Sequence, residues 1–339
     1  METLAYAAAM FLVAPRVASI SPRALALAAS VLVVSAQCAS SLTGAYPLLV
    51  LGRIAAGFGF GLLNTAVNLS AARVDHPARA ISAGLAVQTL LFAFVNLGLP
   101  IIGRDHGVAG MFLALGGLSL VLGTGALLLP SGASAKPELI GKTRPIEAKP
   151  IGADGTRVLA AMALFAFGSL AIWPFMERAA HAIAIDAVTF GQFVSIATIL
   201  SAGSNLILAI VASRLKRSWP LACALIACGS ACALLTTVQT PLAFAAAISL
   251  YQVTWFMTYP LILGVGFAVD PSGRLAVMTT GTWLLSQSLG SLGAGIIAQA
   301  YDGYTAIGPI GLIFCVAAIF VAWPLTRKID RGVSLAEPA

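Results

Sequence analysis

Apolar residues fill this chain in long blocks, divided by short polar interruptions. Runs long enough to cross a bilayer as helices, which takes about 20 residues, recur from one end to the other. Such helices are predicted at 24–42, 47–70, 80–102, 108–129, 158–178, 188–212, 220–238, 241–268, 275–299 and 307–326. An opening run from Thr3 to Ala14 is apolar but only twelve residues long. It is too short to span, and its arginines, Arg16 and Arg23, follow the run, where a signal peptide carries its charge in front. The pattern predicts an all-α integral membrane protein of about eleven membrane segments.

The one long polar stretch, 131–156, is rich in Pro, Gly and Lys and reads as a linker. It divides the chain into a first helical bundle, 1–130, and a second, 157–328, followed by a polar tail, 329–339. The halves echo one another. VAPRVASISPRALALAAS from Val13 lies without gaps on VASRLKRSWPLACALIAC from Val211, with Arg16 on Arg214 and Pro22 on Pro220. VDHPAR from Val74 then answers VDPSGR from Val269, so Asp75/Arg79 and Asp270/Arg274 share a spacing of four. In this register the opening run matches 188–212, and nothing in the first half matches 158–178. The expectation is a twelve-helix plan lacking its first helix and the start of its second.

Composition sharpens this picture. The chain is 59% hydrophobic and 9% charged, with a mean hydropathy of +0.97. A soluble domain carries about 25% charged residues. The net charge of +7 is a matter of topology: of 19 Lys and Arg, 16 fall in alternate loops on one side, Arg104 and Arg178 on the other, and Arg53 within a span. The positive-inside rule puts the C-terminus in the cytoplasm of a multi-pass protein of the cell (inner) membrane. No nucleic-acid partner is needed to explain the charge. The five cysteines lie inside apolar segments and read as small fillers, with no metal-ligand spacing and no cofactor motif.

Several local patterns point to one family. LGRIAAGFGFG sets Arg53 four residues before Gly57; LPIIGR carries Pro100 and Gly103; PRVASISPR joins the first two apolar runs. With two related halves and a basic central loop, the chain resembles the major facilitator superfamily (MFS) of secondary transporters. The resemblance covers essentially the whole chain and implies two pseudo-symmetric six-helix bundles, the first incomplete. It implies that family helices one, four, seven and ten line a central cavity, while three, six, nine and twelve face lipid.

Polar residues within spans mark such cavities. On family helix four, Arg53, Gly57, Gly61, Asn64 and Asn68 fall within about 80° of one another. Arg53 reads as a binder of an anionic group or a member of a proton path, or as an outward-snorkelling anchor. The glycines have close helix packing as a second reading. On family helix ten, Tyr251, Gln252, Trp255 and Tyr259 read as cavity lining or an aromatic packing stripe. Gln88 and Asn96, Trp173, and Trp283 with Gln287 are lesser candidates on helices five, seven and eleven. Glu177 and Arg178 are candidates for an outer gate or a solvated helix end; Asp75, Arg79, Asp270 and Arg274 for an inner gate or ordinary caps.

The resulting expectation is alternating-access transport of a small amphipathic, aromatic or anionic solute by a monomeric permease or efflux protein in the lipid bilayer. Protons are the candidate coupling ion, although no carboxylate lies deep in a span. Two rivals remain: a non-transporting truncated remnant, and a membrane enzyme using the His-x-x-x-x-Asp pair His181 and Asp186.

Overall fold

A computed structural model describes residues 1–132, 151–211, 216–301 and 303–332. Most of the 131–156 linker, Arg214 and the end of the tail lie outside the described residues. Those described form helices α1 (Glu2–Val13), α2 (Pro22–Ser41), α3 (Tyr46–Ala71), α4 (Pro77–Thr124), α5 (Ala153–Ser169), α6 (Met176–Ala182), α7 (Ala187–Val211), α8 (Ser218–Thr237), α9 (Pro241–Val269), α10 (Arg274–Ala300) and α11 (Ile307–Asp330), with no strand among them. Proline marks the first turn of α2, α3 and α4, where its missing N–H costs nothing. Ser21 caps α2 by accepting from the N–H of Ala24 at 3.4 Å.

Two junctions are sharper than the hydropathy pattern predicts. The predicted spans 80–102 and 108–129 are separated by the short polar segment Gly103–Gly107. They are two helices, grouped under the label α4, that meet at Gly107, whose φ of 64° is a left-handed conformation that glycine tolerates. The predicted span 158–178 divides around Pro174. α5 stops at Ser169, a 3₁₀ turn covers Trp173–Phe175, and α6 restarts at Met176. Among the described residues, nine segments are long and apolar enough to cross a membrane. α1 is too short to be one of them. α10, expected as a span at 275–299, is diluted by Thr279, Thr280, Thr282, Gln287 and Gln299.

The residues cluster into two compact units. The first comprises Met1–Pro77, Phe94–Ile151 and Asp270–Leu285; the second comprises Ala78–Ala93, Gly152–Val269 and Ser286–Ala339. A segment from each half of the sequence, 78–93 and 270–285, is thus grouped with the other half. In the first unit α3 is the spine, and its glycines seat its neighbours. Gly57 and Gly61 press against the backbone of Glu2 and Tyr6 in α1, while Gly59 takes Val33 of α2. Ala7, Met10, Val17, Leu69, Val277 and Leu284 close a core beside this seam. In the second unit α11 packs on α5 and α8, and α9 on α7 and α8. Gly168, Gly229, Gly308 and Gly311 give the α5–α8–α11 contact its closeness. Cys228, Cys232 and Cys315 fill space there as fully buried free thiols.

Candidate functional site

Arg53 lies in the second turn of α3, roughly 10 Å from its start at Tyr46. Its Nη2 donates to Gln37 Oε1 at 2.8 Å and to Ser40 Oγ at 3.0 Å, both on α2. Its guanidinium carbon stands 4.6 Å from the centroid of Phe112. The nearest carboxylate is Glu2 of α1, 3.8 Å from Nη1, and the buried Nε has no hydrogen-bond partner among the described residues. The charge is therefore oriented by neutral acceptors and an aromatic face, and only loosely met by an anion. Glu2, Ser40 and Phe112 were not among the sequence candidates. Gln37 was visible there as the lone amide of an otherwise apolar helix, and the spacing of Glu2 and Tyr6 already put both on one face of α1.

The rest of the polar face of α3 belongs mostly to this seam. Gly57 carries the backbone of Glu2. Asn64 donates to the Tyr6 hydroxyl at 2.6 Å, and Asn68 donates to Asn64 Oδ1 at 2.9 Å and to Thr280 Oγ1 of α10 at 3.4 Å. Asn68 is buried, and its Oδ1 has no hydrogen-bond partner among the described residues. The face predicted from 100° periodicity thus exists, and α1 covers part of it.

On α9, Tyr251 is buried and its hydroxyl donates to the Ser169 carbonyl at 2.9 Å. That carbonyl ends α5 where the helix breaks, so the phenol satisfies an orphaned acceptor. Trp255 stacks on Phe165 and Tyr259, each at 6.1 Å between centroids, with the Tyr259 ring only 7° from parallel. Gln252 is buried beside them. This row lies against α5 and includes both a structural tie and a continuous aromatic stack.

The remaining candidates are dispersed. Gln88 is exposed on α4, and Asn96 belongs to a residue whose side chain lies outside the described set. Trp173 is 47% exposed in the 3₁₀ turn. Trp283 packs at the edge of the first unit's core, and Gln287 is half-buried on the same helix. Glu177 approaches His181 at 3.7 Å, and Arg178 lies over Phe175 at 5.9 Å, so neither pairs with the other. Asp270 accepts from the N–H groups of Ser272 and Leu275 at 3.0 and 3.1 Å and from the Ser272 hydroxyl, and so caps the start of α10. Arg274 is half-buried in the first turn of that helix, while Asp75 and Arg79 are exposed.

The His181/Asp186 pair is not a dyad. His181 faces Glu177, and Asp186 caps α7 by accepting from the N–H groups of Val188 and Thr189 at 2.9 and 3.0 Å and from the Thr189 hydroxyl at 2.7 Å. That hydroxyl above all, then the N–H of Thr189, holds the Asp186 carboxyl below its usual range.

Comparison with known structures gives the same architecture. The human organic anion transporter MFSD10 (TETRAN) matches with a TM-score of 0.71 at 16% identity, over 94% of this chain and 82% of that one. FucP in an outward conformation matches with a TM-score of 0.75 at 12% identity, over 95% of this chain and 87% of that one. An Asn-to-Ala variant of the E. coli fucose:proton symporter FucP matches at 0.70 and 12%, over 95% and 86%. A search of curated protein sequences finds no match. The family model described as Major Facilitator Superfamily matches residues 2–294, and the chain belongs to that family.

Proposed function

We propose that this multi-pass membrane transporter moves a small anionic solute by alternating access, and that Arg53 recognises the anion. One observation carries the reading. A guanidinium held inside a membrane-spanning helix is costly unless an anion meets it. Arg53 is anchored by the neutral groups of Gln37 and Ser40, and its one carboxylate contact among the described residues is a long 3.8 Å approach to Glu2. A solute carboxylate or phosphate can take up this underused charge through a forked, charge-assisted pair. The structural neighbours support the fold of a solute carrier and are silent on the solute itself.

The test is uptake into proteoliposomes of aromatic and aliphatic carboxylates, each beside its neutral amide. The parent is expected to prefer the acids. Arg53→Ala should cut uptake efficiency by about 10- to 100-fold, the worth of one charge-assisted hydrogen bond, and Arg53→Lys should lose less. Equal handling of acid and amide by the parent, or full acid uptake by folded Arg53→Ala, would remove Arg53 from substrate recognition.

A further inference from the structure

α5 and α8 begin where α11 ends, and charged side chains gather at that end of the second unit. Among the described residues its carboxylates, Asp330 and Asp154, are already engaged. Asp330 accepts from the N–H groups of Arg217 and Ser218 at 2.6 and 3.0 Å and from the Ser218 hydroxyl at 2.6 Å, closing the first turn of α8. Asp154 takes Lys328 at 3.0 Å and Arg157 at 3.5 Å. The Arg217 guanidinium turns inward to the Gly264 carbonyl. Lys216, Arg327 and Arg331 are left exposed, with no ion pair among the described residues.

Beside these cations stands an aromatic pair. Trp219, 65% exposed, meets Trp323 edge to face with centroids 5.1 Å apart and planes at 84°. Arg327 lies over the Trp323 ring at 5.7 Å. Trp323 and Arg327 follow one another at four-residue spacing on α11, and Arg331, its C-cap residue, continues the spacing. An exposed indole at the end of a membrane-spanning helix belongs at headgroup level. By the same rule a guanidinium in the next turn, with no carboxylate partner among the described residues, falls at the height of the lipid phosphates.

We propose that this end of α8 and α11 seats the headgroup of an anionic glycerophospholipid. Its phosphate lies against Arg327 and Arg331, and its glycerol backbone against the Trp219–Trp323 pair. The arginine forks match phosphate oxygens, and the edge-to-face indoles offer an apolar shelf below them. The seat is independent of the solute carried.

The full chain, purified in detergent, is titrated with dioleoyl-phosphatidylglycerol, with dioleoyl-phosphatidylcholine and with inorganic phosphate. Bound lipid is read by native mass spectrometry and stability by thermal unfolding. Phosphatidylglycerol is expected to be retained and to raise Tm, and the other two are not. Arg327→Gln/Arg331→Gln should weaken phosphatidylglycerol binding about thirtyfold, each basic residue near an anionic surface being worth roughly fivefold. Arg178→Gln, elsewhere in the unit, should leave binding unchanged. If the double variant unfolds, Lys216→Gln with Trp219→Leu is the second arm, with loss of retention again expected. Equal retention of both lipids, an equal response to inorganic phosphate, or parent-like binding by a folded variant would overturn the seat.

Discussion

A methyl group on Gly57 would overlap the carbonyl oxygen of Glu2, and one on Gly117 would meet nothing within 4 Å. Both residues are helical, so helix propensity favours alanine at each. Backbone crowding decides the sign at Gly57. Gly57→Ala is expected to destabilise by about 1–3 kcal/mol as α1 is pushed off α3. Gly117→Ala should be neutral or stabilising by up to about 1 kcal/mol. Thermal unfolding in detergent separates the two. Tyr251 offers a parallel test on α9. Tyr251→Phe leaves the Ser169 carbonyl only the weak Cys232 thiol donor at 3.8 Å and should cost about 1 kcal/mol. Uptake by the folded protein should be unchanged if the phenol serves α5, and should fall with Tm unchanged if it serves the solute. Spacing alone put Arg53, Gly57, Asn64 and Asn68 on one face, since the angle between residues is a property of any helix. That α1 covers much of this face, and that Glu2 approaches Arg53, depends on atoms about 50 residues away in sequence, which periodicity does not encode.

At the scale of elements, two of the acidic residues that stood out in the sequence serve as helix caps. Asp186 is the cap of α7, and its hydrogen bonds hold its folded pKa below the unfolded value of about 4. Its stabilisation is therefore complete above the unfolded value and is lost as the pH falls through the lowered folded value. Asp186→Ala should lower Tm at neutral pH, and parent and variant should converge on acidification, as pH-dependent thermal unfolding can read. Asp270 plays the same role for α10, which is the capping alternative already open for the Asp75/Asp270 loops. Helix positions were legible because twenty-residue apolar runs leave the backbone one solution in lipid. The sharp junction of two helices at Gly107 and the division of α5 from α6 were harder to read. They turn on single residues, a left-handed glycine and a proline, whose local geometry hydropathy does not encode.

For the whole molecule, the distribution of Lys and Arg predicts that residues 131–156 and the C-terminus lie in the cytoplasm, with Arg104 and Arg178 outside. A cytoplasm-dependent fluorescent reporter should light when fused at the C-terminus and stay dark when fused after His106; the reverse would invert the topology. Membership of a transporter family was within reach of the sequence, because internal repetition, alternating loop charge and recurring spans are properties of the linear chain. Grouping into units was not. Segments 78–93 and 270–285 cluster with residues of the opposite half, and no local pattern distinguishes a helix that stays with its neighbours from one that leaves them. The same division holds for function. The sequence by itself determined that an arginine sits inside a membrane span, since burying it follows from its apolar surroundings. Only the tertiary structure decided that neutral groups of α2 orient that arginine while its carboxylate stands off at 3.8 Å, because the balance of a charge depends on what folding brings within reach of it.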